Sequence, residues 1–136
     1  MAALLLSAFL VEDRVDIRET LVEAIEEIAP VKFVGLADSE DAATRWLQTH
    51  SGDWDLAIVD LFLTQGTGFG VLKKCQCRRA GQKVVVLTSY CQPNLLQRCR
   101  ELGADEIFDK SREVDKLVDF CKAHAQTLSG NSRPPP

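Results

Sequence analysis

The sequence predicts an α/β protein in which five parallel strands form one doubly wound sheet. Five apolar segments alternate along the chain with five segments of helical periodicity, which is typical of repeated strand–helix units. Two of the apolar segments, residues 55–60 and 83–88, are almost continuous, as expected for strands that helices cover on both faces. Right-handed crossovers and the strand order 2-1-3-4-5 would bring the carboxyl ends of four strands together.

Two strand–helix units are predicted in the first part of the chain. An apolar run over residues 4–11 predicts the first strand. Apolar residues at helical spacing predict a helix over residues 14–28, and Pro30 stops it. A weaker alternation predicts the second strand over residues 31–37, and a second helix follows it around Trp46.

The middle of the chain is predicted to hold two strands joined by a loop and a helix. The third strand covers residues 55–60, and three glycines predict a loop over residues 64–70. The helix that follows is expected to run to about Ala80 and to end at Gly81. The fourth strand, residues 83–88, is predicted to be fully buried.

The last part of the chain is predicted to complete the alternation. Pro93 suits the first turn of the fourth helix, and Gly103 ends that helix. A short strand is expected over residues 104–109 and a helix over about residues 113–128. Residues 129–136 consist largely of Ser, Gly, Asn and Pro, so we expect a disordered tail or the stub of a linker.

Size and composition favour one domain over residues 1–128 of the 136-residue chain. The net charge is −4, from 20 acidic and 16 basic residues, which argues against direct nucleic-acid binding by this domain. The longest apolar run is too short to span a bilayer and lacks a basic start, so a cytoplasmic protein without a membrane partner is expected. Five cysteines, an odd number, favour reduced thiols over a disulfide framework.

Polar side chains stand at the ends of four predicted strands. Glu12 and Asp13 follow the first strand, Asp60 the third, Thr88 the fourth and Lys110 the fifth. Because the carboxyl ends of these strands meet in one crevice, the side chains are expected to lie together. Three carboxylates, a hydroxyl and an amine make an acidic metal pocket with a nucleophile and a cation, which suits phosphoryl transfer onto an aspartate.

Four short segments carry a resemblance to a known family. They are FLVED (9–13), LAIVDLFL (56–63), VVVLTSY (84–90) and GADEIFDKS (103–111). With these segments in this order, the chain resembles the receiver domain of two-component response regulators, the CheY-like family with a flavodoxin-like fold. The resemblance runs from about Leu4 to Leu128, and each segment gains specificity from the presence of the others.

The resemblance implies that Asp60 is the phosphoacceptor and that Mg²⁺ is the cofactor. Glu12 and Asp13 match the family's acidic pair. Together with Asp60 and the backbone carbonyl of Phe62, they would hold the ion, a hard cation that takes oxygen ligands. The metal is needed because phosphoryl transfer brings oxyanions next to a carboxylate.

The resemblance also implies roles for residues beside the acceptor. Lys110 would reach the phosphoryl oxygens, and Thr88 would be the switch hydroxyl that bonds the phosphoryl group and moves the following loop. Ile107 stands where the family usually has an aromatic switch ring, and Tyr90 is a hypothetical substitute for that ring. Ser111 stands where a proline with a cis bond is usual, so a trans Lys110–Ser111 peptide is expected.

The loop after the acceptor departs from the family as well. Thr64 replaces the proline that is usual four residues after the acceptor, and a more mobile loop is therefore expected. Phe62 and Tyr90 lie two residues past Asp60 and Thr88, at positions that flank the acceptor in the family. Two bulky rings there would hinder the hydrolytic water, which predicts slow autodephosphorylation.

The implied function is a phosphorylation-controlled signalling switch rather than an enzyme with a separate substrate. A sensor histidine kinase or a histidine phosphotransfer protein would donate the phosphoryl group to Asp60. The domain would catalyse only that transfer and its own slow dephosphorylation. Charge at Asp60 would bias a surface at about residues 91–128, which would bind an output protein or a second copy of the chain.

Other functions compete with this interpretation. A pseudo-receiver would keep the fold and bind a protein without phosphorylation, and Ile107, Ser111 and Thr64 favour it. A phosphatase with an aspartyl nucleophile would need a second aspartate where Phe62 stands. An FMN carrier would need a phosphate-binding loop after the first strand, where acidic residues stand instead.

A basic cluster on and after the third helix is a weaker feature. Its members are Lys73, Lys74, Arg78, Arg79 and Lys83. A charge run of this kind is usually a solvated helix face, and the alternative is a surface for an acidic protein partner.

Overall fold

The protein folds around one five-stranded sheet with helices on both faces. The computed structural model describes residues 4–131. All strands are parallel and their order is β2-β1-β3-β4-β5, which confirms the predicted doubly wound fold. The strands are β1 (Leu6–Val11), β2 (Val31–Ala37), β3 (Leu56–Val59), β4 (Lys83–Thr88) and β5 (Glu106–Asp109). The helices are α1 (Val15–Ile28), α2 (Glu40–Thr49), α3 (Gly68–Lys74), α4 (Pro93–Glu101) and α5 (Val114–Asn131).

Each face of the sheet has its own apolar core. Helices α1 and α5 cover one core, and helices α2, α3 and α4 cover the other. Phe9 and Leu10 are neighbours in β1 and point into different cores, because successive side chains of a strand alternate between faces. Both are almost fully buried, and burying a side chain of this kind contributes about 1.5–3 kcal/mol. This two-sided burial explains the continuous apolar runs of β3 and β4.

The pairing register aligns the carboxyl ends of the central strands. Val11 of β1 pairs with Val59 of β3, and Val59 pairs with Val86 of β4. The ladder continues one residue further, because the amide of Asp60 donates to the carbonyl of Val11 at 3.1 Å. The residues that follow β1 and β3 therefore start from adjacent points on one edge of the sheet.

The third helix differs from the prediction at both ends. α3 begins at Gly68, inside the loop that was expected over residues 64–70, and the Thr67 hydroxyl caps its first turn. The helix ends at Lys74 rather than near Ala80, and a 3₁₀ turn follows it. The glycines of this segment are thus shared between a loop and a helix start.

Arg78 holds the irregular segment that replaces the expected end of the helix. Only 15% of its side chain is exposed, and it pairs with Asp105 at 3.0 Å. Its guanidinium donates to the carbonyls of Cys75, Gln82 and Gly103. Since its charge and donors are used inside the fold, Arg78 does not belong to a solvated basic face.

The turn before β5 shortens the last strand relative to the prediction. Gly103 has a φ of 99°, a left-handed conformation that glycine adopts without strain. The amide of Ala104 then donates to the carbonyl of Cys99 at 3.0 Å, which keeps Ala104 in the turn. The strand begins at Glu106 instead of Ala104.

The last helix is longer than predicted. α5 continues to Asn131, past the expected end at residue 128. The remaining residues of the predicted tail, 132–136, lie outside the described part of the chain. Among residues 4–131, no helix combines the length and apolar character that a membrane span requires.

The five cysteines are free thiols, which agrees with the expectation of reduced thiols rather than a disulfide framework. Cys75, Cys99 and Cys121 are buried. Burial raises the pKa of Cys75 and that of Cys121 to about 12, so these thiols stay protonated. They act as small apolar residues of the core.

Candidate functional site

The three acidic side chains predicted at the strand ends meet at the carboxyl edge of the sheet. One carboxylate oxygen from each of Glu12, Asp13 and Asp60 lies within 4.8 Å of the other two. Glu12 and Asp60 are buried, with 1% and 7% exposure, and Asp13 is half-buried. Carboxylates this close repel one another unless a cation offsets their charge. The all-oxygen donor set fits a hard divalent cation such as Mg²⁺.

Lys110 places a positive charge beside two of these carboxylates. Its Nζ donates to Glu12 Oε1 at 2.5 Å and to Asp60 Oδ2 at 2.8 Å. Burial alone would lower the pKa of Lys110, but the hydrogen bonds to Asp60 and Glu12 outweigh it and raise the pKa. The ammonium group is therefore charged at neutral pH and links two of the three carboxylates.

Glu12 is held from two sides. Its Oε1 accepts from Lys110, and its Oε2 accepts from the amide of Arg14 at 3.2 Å. The guanidinium of Arg18 donates to the Glu12 backbone carbonyl, also at 3.2 Å. Burial raises the pKa of Glu12 above its usual value, and the bonds from Lys110 and Arg14 oppose this shift.

Asp13 is held by the loop that follows Asp60. Its Oδ2 accepts from the backbone amide of Thr64 at 2.8 Å and from the Thr64 hydroxyl at 2.5 Å. Burial acts to raise the pKa of Asp13, but its hydrogen bonds, those from Thr64 foremost, outweigh burial and hold the pKa below its usual value. These bonds also tie down the loop, which opposes the greater mobility expected from Thr64.

Thr88 is the last residue of β4, and the rings of Phe62 and Tyr90 lie on the loops after β3 and β4. Thr88 is fully buried, and its hydroxyl oxygen accepts from the amide of Tyr90 at 3.2 Å. The ring of Tyr90 packs edge-to-face against that of Phe62, with centroids 4.7 Å apart. Both rings remain 44–55% exposed. The loops after β3 and β4 are thus joined by an aromatic pair at the surface.

Ile107 and Ser111, which differ from the residues usual in receiver domains, make common packing and hydrogen-bond contacts. Ile107 is half-buried against the core under α2, α3 and α4. The amide and hydroxyl of Ser111 both donate to Asp109 Oδ1, at 2.8 and 2.9 Å. The peptide between Lys110 and Ser111 is trans, as the sequence predicts.

The structure joins four of the predicted site residues through their side chains and links Thr88 to them through its backbone. Glu12, Asp13, Asp60 and Lys110 form one connected group. The Thr88 backbone carbonyl accepts from the amide of Lys110 at 2.9 Å, whereas its hydroxyl accepts from the amide of Tyr90 in the following loop.

Sequence reasoning missed two contacts of the loop after Asp60. Thr64 was singled out only as a replacement for proline, and its bonds to Asp13 were not foreseen. Glu40, at the start of α2, accepts from the amide of Thr67 at 2.8 Å and was not considered. The one available signal was the run of glycines beside Thr67, since glycine often marks a close approach of another group.

Comparisons with known sequences point to one family. A family model described as the response regulator receiver domain matches residues 8–122. The response regulator UvrY from Escherichia coli (strain K12) is 23% identical over 119 residues, which cover 88% of this chain and 54% of that protein. The chain spans about half the length of the curated relatives it matches.

Solved structures share the fold. A DNA-binding response regulator of the LuxR family from Staphylococcus aureus aligns with a TM-score of 0.78 at 20% identity, covering 89% of this chain and 99% of that one. The Mn(2+)-bound form of response regulator Rcp1 aligns with a TM-score of 0.68 at 22% identity, covering 96% and 99%. At these identities the likeness concerns the fold alone.

Proposed function

The chain belongs to the response regulator receiver domain family, and we propose that it is switched by transfer of a phosphoryl group onto Asp60. The observation that carries this proposal is the surroundings of Asp60. Its Oδ2 accepts from Lys110 Nζ at 2.8 Å, and carboxylate oxygens of Glu12 and Asp13 lie within 4.8 Å of it. An acceptor needs such a combination of a nearby cation and ligands for a metal.

In the proposed reaction, a carboxylate oxygen of Asp60 attacks the phosphorus of a phosphohistidine. A P–O bond forms at Asp60 while the P–N bond breaks, and the imidazole nitrogen of the donor keeps the bonding electron pair. Lys110 stabilises the negative charge on the transferring group as a point charge. The donor would be a sensor histidine kinase or a histidine phosphotransfer protein, the partners expected for this family.

Glu12, Asp13 and Asp60 are the residues proposed to hold Mg²⁺, together with the backbone carbonyl of Phe62. When bound, the ion would offset the repulsion between the phosphoryl oxygens and the carboxylates. Support comes from the donor set, which contains only oxygen atoms and suits Mg²⁺ or Mn²⁺ better than softer metals. The Mn(2+)-bound form of the similar regulator Rcp1 agrees with a divalent cation on this fold.

Thr88 is the residue proposed to report the phosphoryl group. The hydroxyl would donate to it, and a movement towards the phosphoryl group would pull on the amide of Tyr90, from which the hydroxyl accepts a bond. Because Tyr90 also packs on Phe62, a shift of this loop would disturb the aromatic pair. The resulting change would reach a surface at about residues 91–128, which would bind an output protein or a second copy of the chain.

The aromatic pair supports a slow loss of the phosphoryl group. Phe62 and Tyr90 follow Asp60 and Thr88 by two residues, and their paired rings would restrict the approach of water. Replacing both with small polar residues, as in Phe62→Asn with Tyr90→Ser, should shorten the phosphate lifetime. An unchanged lifetime would remove the rings as its cause.

A phosphorylation-independent binding module is the second candidate. The half-buried Ile107 favours it, because this position lacks the switch ring of the family. Such a pseudo-receiver would keep the fold and bind its partner equally well with or without a phosphate donor.

Intact-mass measurement after incubation with acetyl phosphate tests the proposal. The wild-type protein should gain one phosphoryl group in the presence of Mg²⁺ and none in the presence of a chelator. Asp60→Asn is the matched control, because it keeps the size of the side chain and removes the nucleophile. No gain by the wild type, with no Mg²⁺ binding, would favour the pseudo-receiver.

A further inference from the structure

We propose that Thr64 is a positioning residue for the metal site: its amide and hydroxyl orient Asp13 so that the free oxygen of that carboxylate is presented to the cation. The inference rests on the proposed Mg²⁺ site and extends it to a residue outside the ligand set. A chain with proline at this position, as is usual in the family, would have neither donor.

Both donors of Thr64 bind the same oxygen of Asp13. The hydroxyl lies 2.5 Å and the amide 2.8 Å from Oδ2. A carboxylate oxygen has about two acceptor sites in its plane, so these two bonds occupy Oδ2. Oδ1 takes part in neither of these bonds, so Asp13 can offer it to a cation while keeping both. Ligands held by such outer hydrogen bonds keep their orientation when the metal arrives.

Thr64 can orient Asp13 because its own loop is anchored on the opposite side. The amide of Glu40 donates to the carbonyl of Gln65 at 3.1 Å, and Glu40 Oε1 accepts from the amide of Thr67 at 2.8 Å. These contacts flank Thr64 on its carboxyl side and tie the loop to the start of α2. The Thr64 donors that bind Asp13 therefore lie on a loop that is itself held in place by hydrogen bonds.

Two glycines make room for this anchor. A Cβ added at Gly70 would lie 2.2 Å from Glu40 Oε2, and one added at Gly66 would lie 2.4 Å from Glu40 Cβ. Gly66 also has a φ of 83°, which other residues adopt only with strain. One chain of contacts thus runs from the two glycines through Glu40 and the loop of Thr64 to Asp13.

A competing role for Thr64 makes the opposite forecast. If its bonds held Asp13 away from the ion, metal binding would have to break them, and their removal would tighten the binding of Mg²⁺. If Thr64 only stabilised the loop, its replacement would lower the thermal stability of the protein and leave Mg²⁺ affinity unchanged.

The test is calorimetric titration of Mg²⁺ into the full chain and its variants. Thr64→Val keeps the shape and the amide but removes the hydroxyl, and it should weaken Mg²⁺ binding by about tenfold, the lower end of the effect of removing a second-layer bond. Thr64→Ser keeps both donors and should restore wild-type affinity. Thr127→Val, in which the exposed hydroxyl on α5 is lost from a bond to a backbone carbonyl, is the matched control and should bind as the wild type does.

Thermal unfolding in a chelator establishes that each variant is folded before titration. Equal or tighter Mg²⁺ binding by folded Thr64→Val would overturn the inference while leaving the metal site in place. Failure of the wild type and of Thr127→Val to bind Mg²⁺ would overturn the proposed metal site itself, and this inference with it. The two failures are therefore distinguishable in one set of titrations.

Discussion

The two edges of the sheet bury polar groups in different ways. At the amino edge, Gln82 is 3% exposed, and its side chain donates to the carbonyls of Ser51 and Trp54 and accepts from the amide of Arg79. Close by, His124 is bonded to the backbone carbonyl of Asp55. The carboxylates of Asp55 and Asp105 likewise accept from strand amides, so side chains satisfy backbone groups where loops meet the sheet.

At the carboxyl edge, charged side chains face one another. Glu12 and Asp60 are about as buried as Gln82, but these two carboxylates share the ammonium group of Lys110, and Asp13 adds a third carboxylate. At the first edge, the donors and the acceptor of the Gln82 side chain have protein partners, whereas the second edge places three carboxylates around one ammonium group. The contrast indicates that one edge contributes stability, whereas the other retains negative charge that the proposed cation would offset.

The largest effect on stability is expected at the amino edge. Gln82→Ala leaves two carbonyls and one amide without partners, so the free energy of unfolding should fall by about 2–4 kcal/mol, since each unsatisfied buried group costs about 1–3 kcal/mol and water will replace some bonds. Urea denaturation measures the change. Gln97→Ala, at an exposed position of α4, is the matched control and should change little.

A fall of less than about 0.5 kcal/mol for Gln82→Ala, the scatter of ordinary surface substitutions, would mean that the amino edge is not the stabilising one. Mg²⁺ affinity of this variant should equal that of the wild type. A changed affinity would contradict the comparison, because it would show that the two edges are energetically coupled.

A smaller effect is expected from Glu12→Gln at the carboxyl edge without metal. The substitution loses the pairing with Lys110 but also removes one of three converging charges, so stability in a chelator should stay within about 1 kcal/mol of wild type. In Mg²⁺ at about 100 times its dissociation constant, the wild type should gain about 2.7 kcal/mol. The variant should gain less, and a gain equal to that of the wild type would exclude Glu12 as a ligand.

The smallest effect is a difference in pH dependence within the acidic cluster. The pKa of Glu12 is raised above 4.5, so its contribution to stability is full below 4.5 and is lost as the pH rises through the raised value. The pKa of Asp13 is lowered below 3.8, so its contribution is present above 3.8 and is lost as the pH falls through the lowered value.

Stability curves in a chelator should therefore separate the two acids. The difference between wild type and Glu12→Gln should move in favour of the wild type as the pH falls from 7 towards 4.5. The difference between wild type and Asp13→Asn should move against the wild type as the pH falls below 3.8. Parallel curves for both variants would contradict the assigned environments.

Much of the fold and the acidic cluster could be predicted because their signals are local. An apolar run and the polar residue that ends it are adjacent in sequence, and the parallel fold brings such ends to one edge. The placement of Glu12, Asp13 and Asp60 follows from that rule. The bounds of α3 could not be predicted, because they depend on Arg78 turning inward to the distant carbonyl of Gly103 as well as to nearby carbonyls, and apolar periodicity gives no sign of this.

The bond between Thr64 and Asp13 shows what local signals cannot contain. It joins residues 51 positions apart, and it depends on a loop path that Glu40 sets from α2. The sequence shows only that Thr64 is not proline. The same holds for the contact of Phe62 with Tyr90, whose positions beside the acceptor were predicted but whose pairing was not.

Locating the phosphorylated residue tests the central claim most directly. An acyl phosphate on aspartate is reduced by borohydride to homoserine, which peptide mass spectrometry can place in the sequence. After incubation with acetyl phosphate and Mg²⁺, we expect homoserine at residue 60 alone, and none after incubation with a chelator. Homoserine at residue 12 or 13 instead, or none at residue 60 in a protein that binds Mg²⁺, would contradict the assignment of Asp60 as the acceptor.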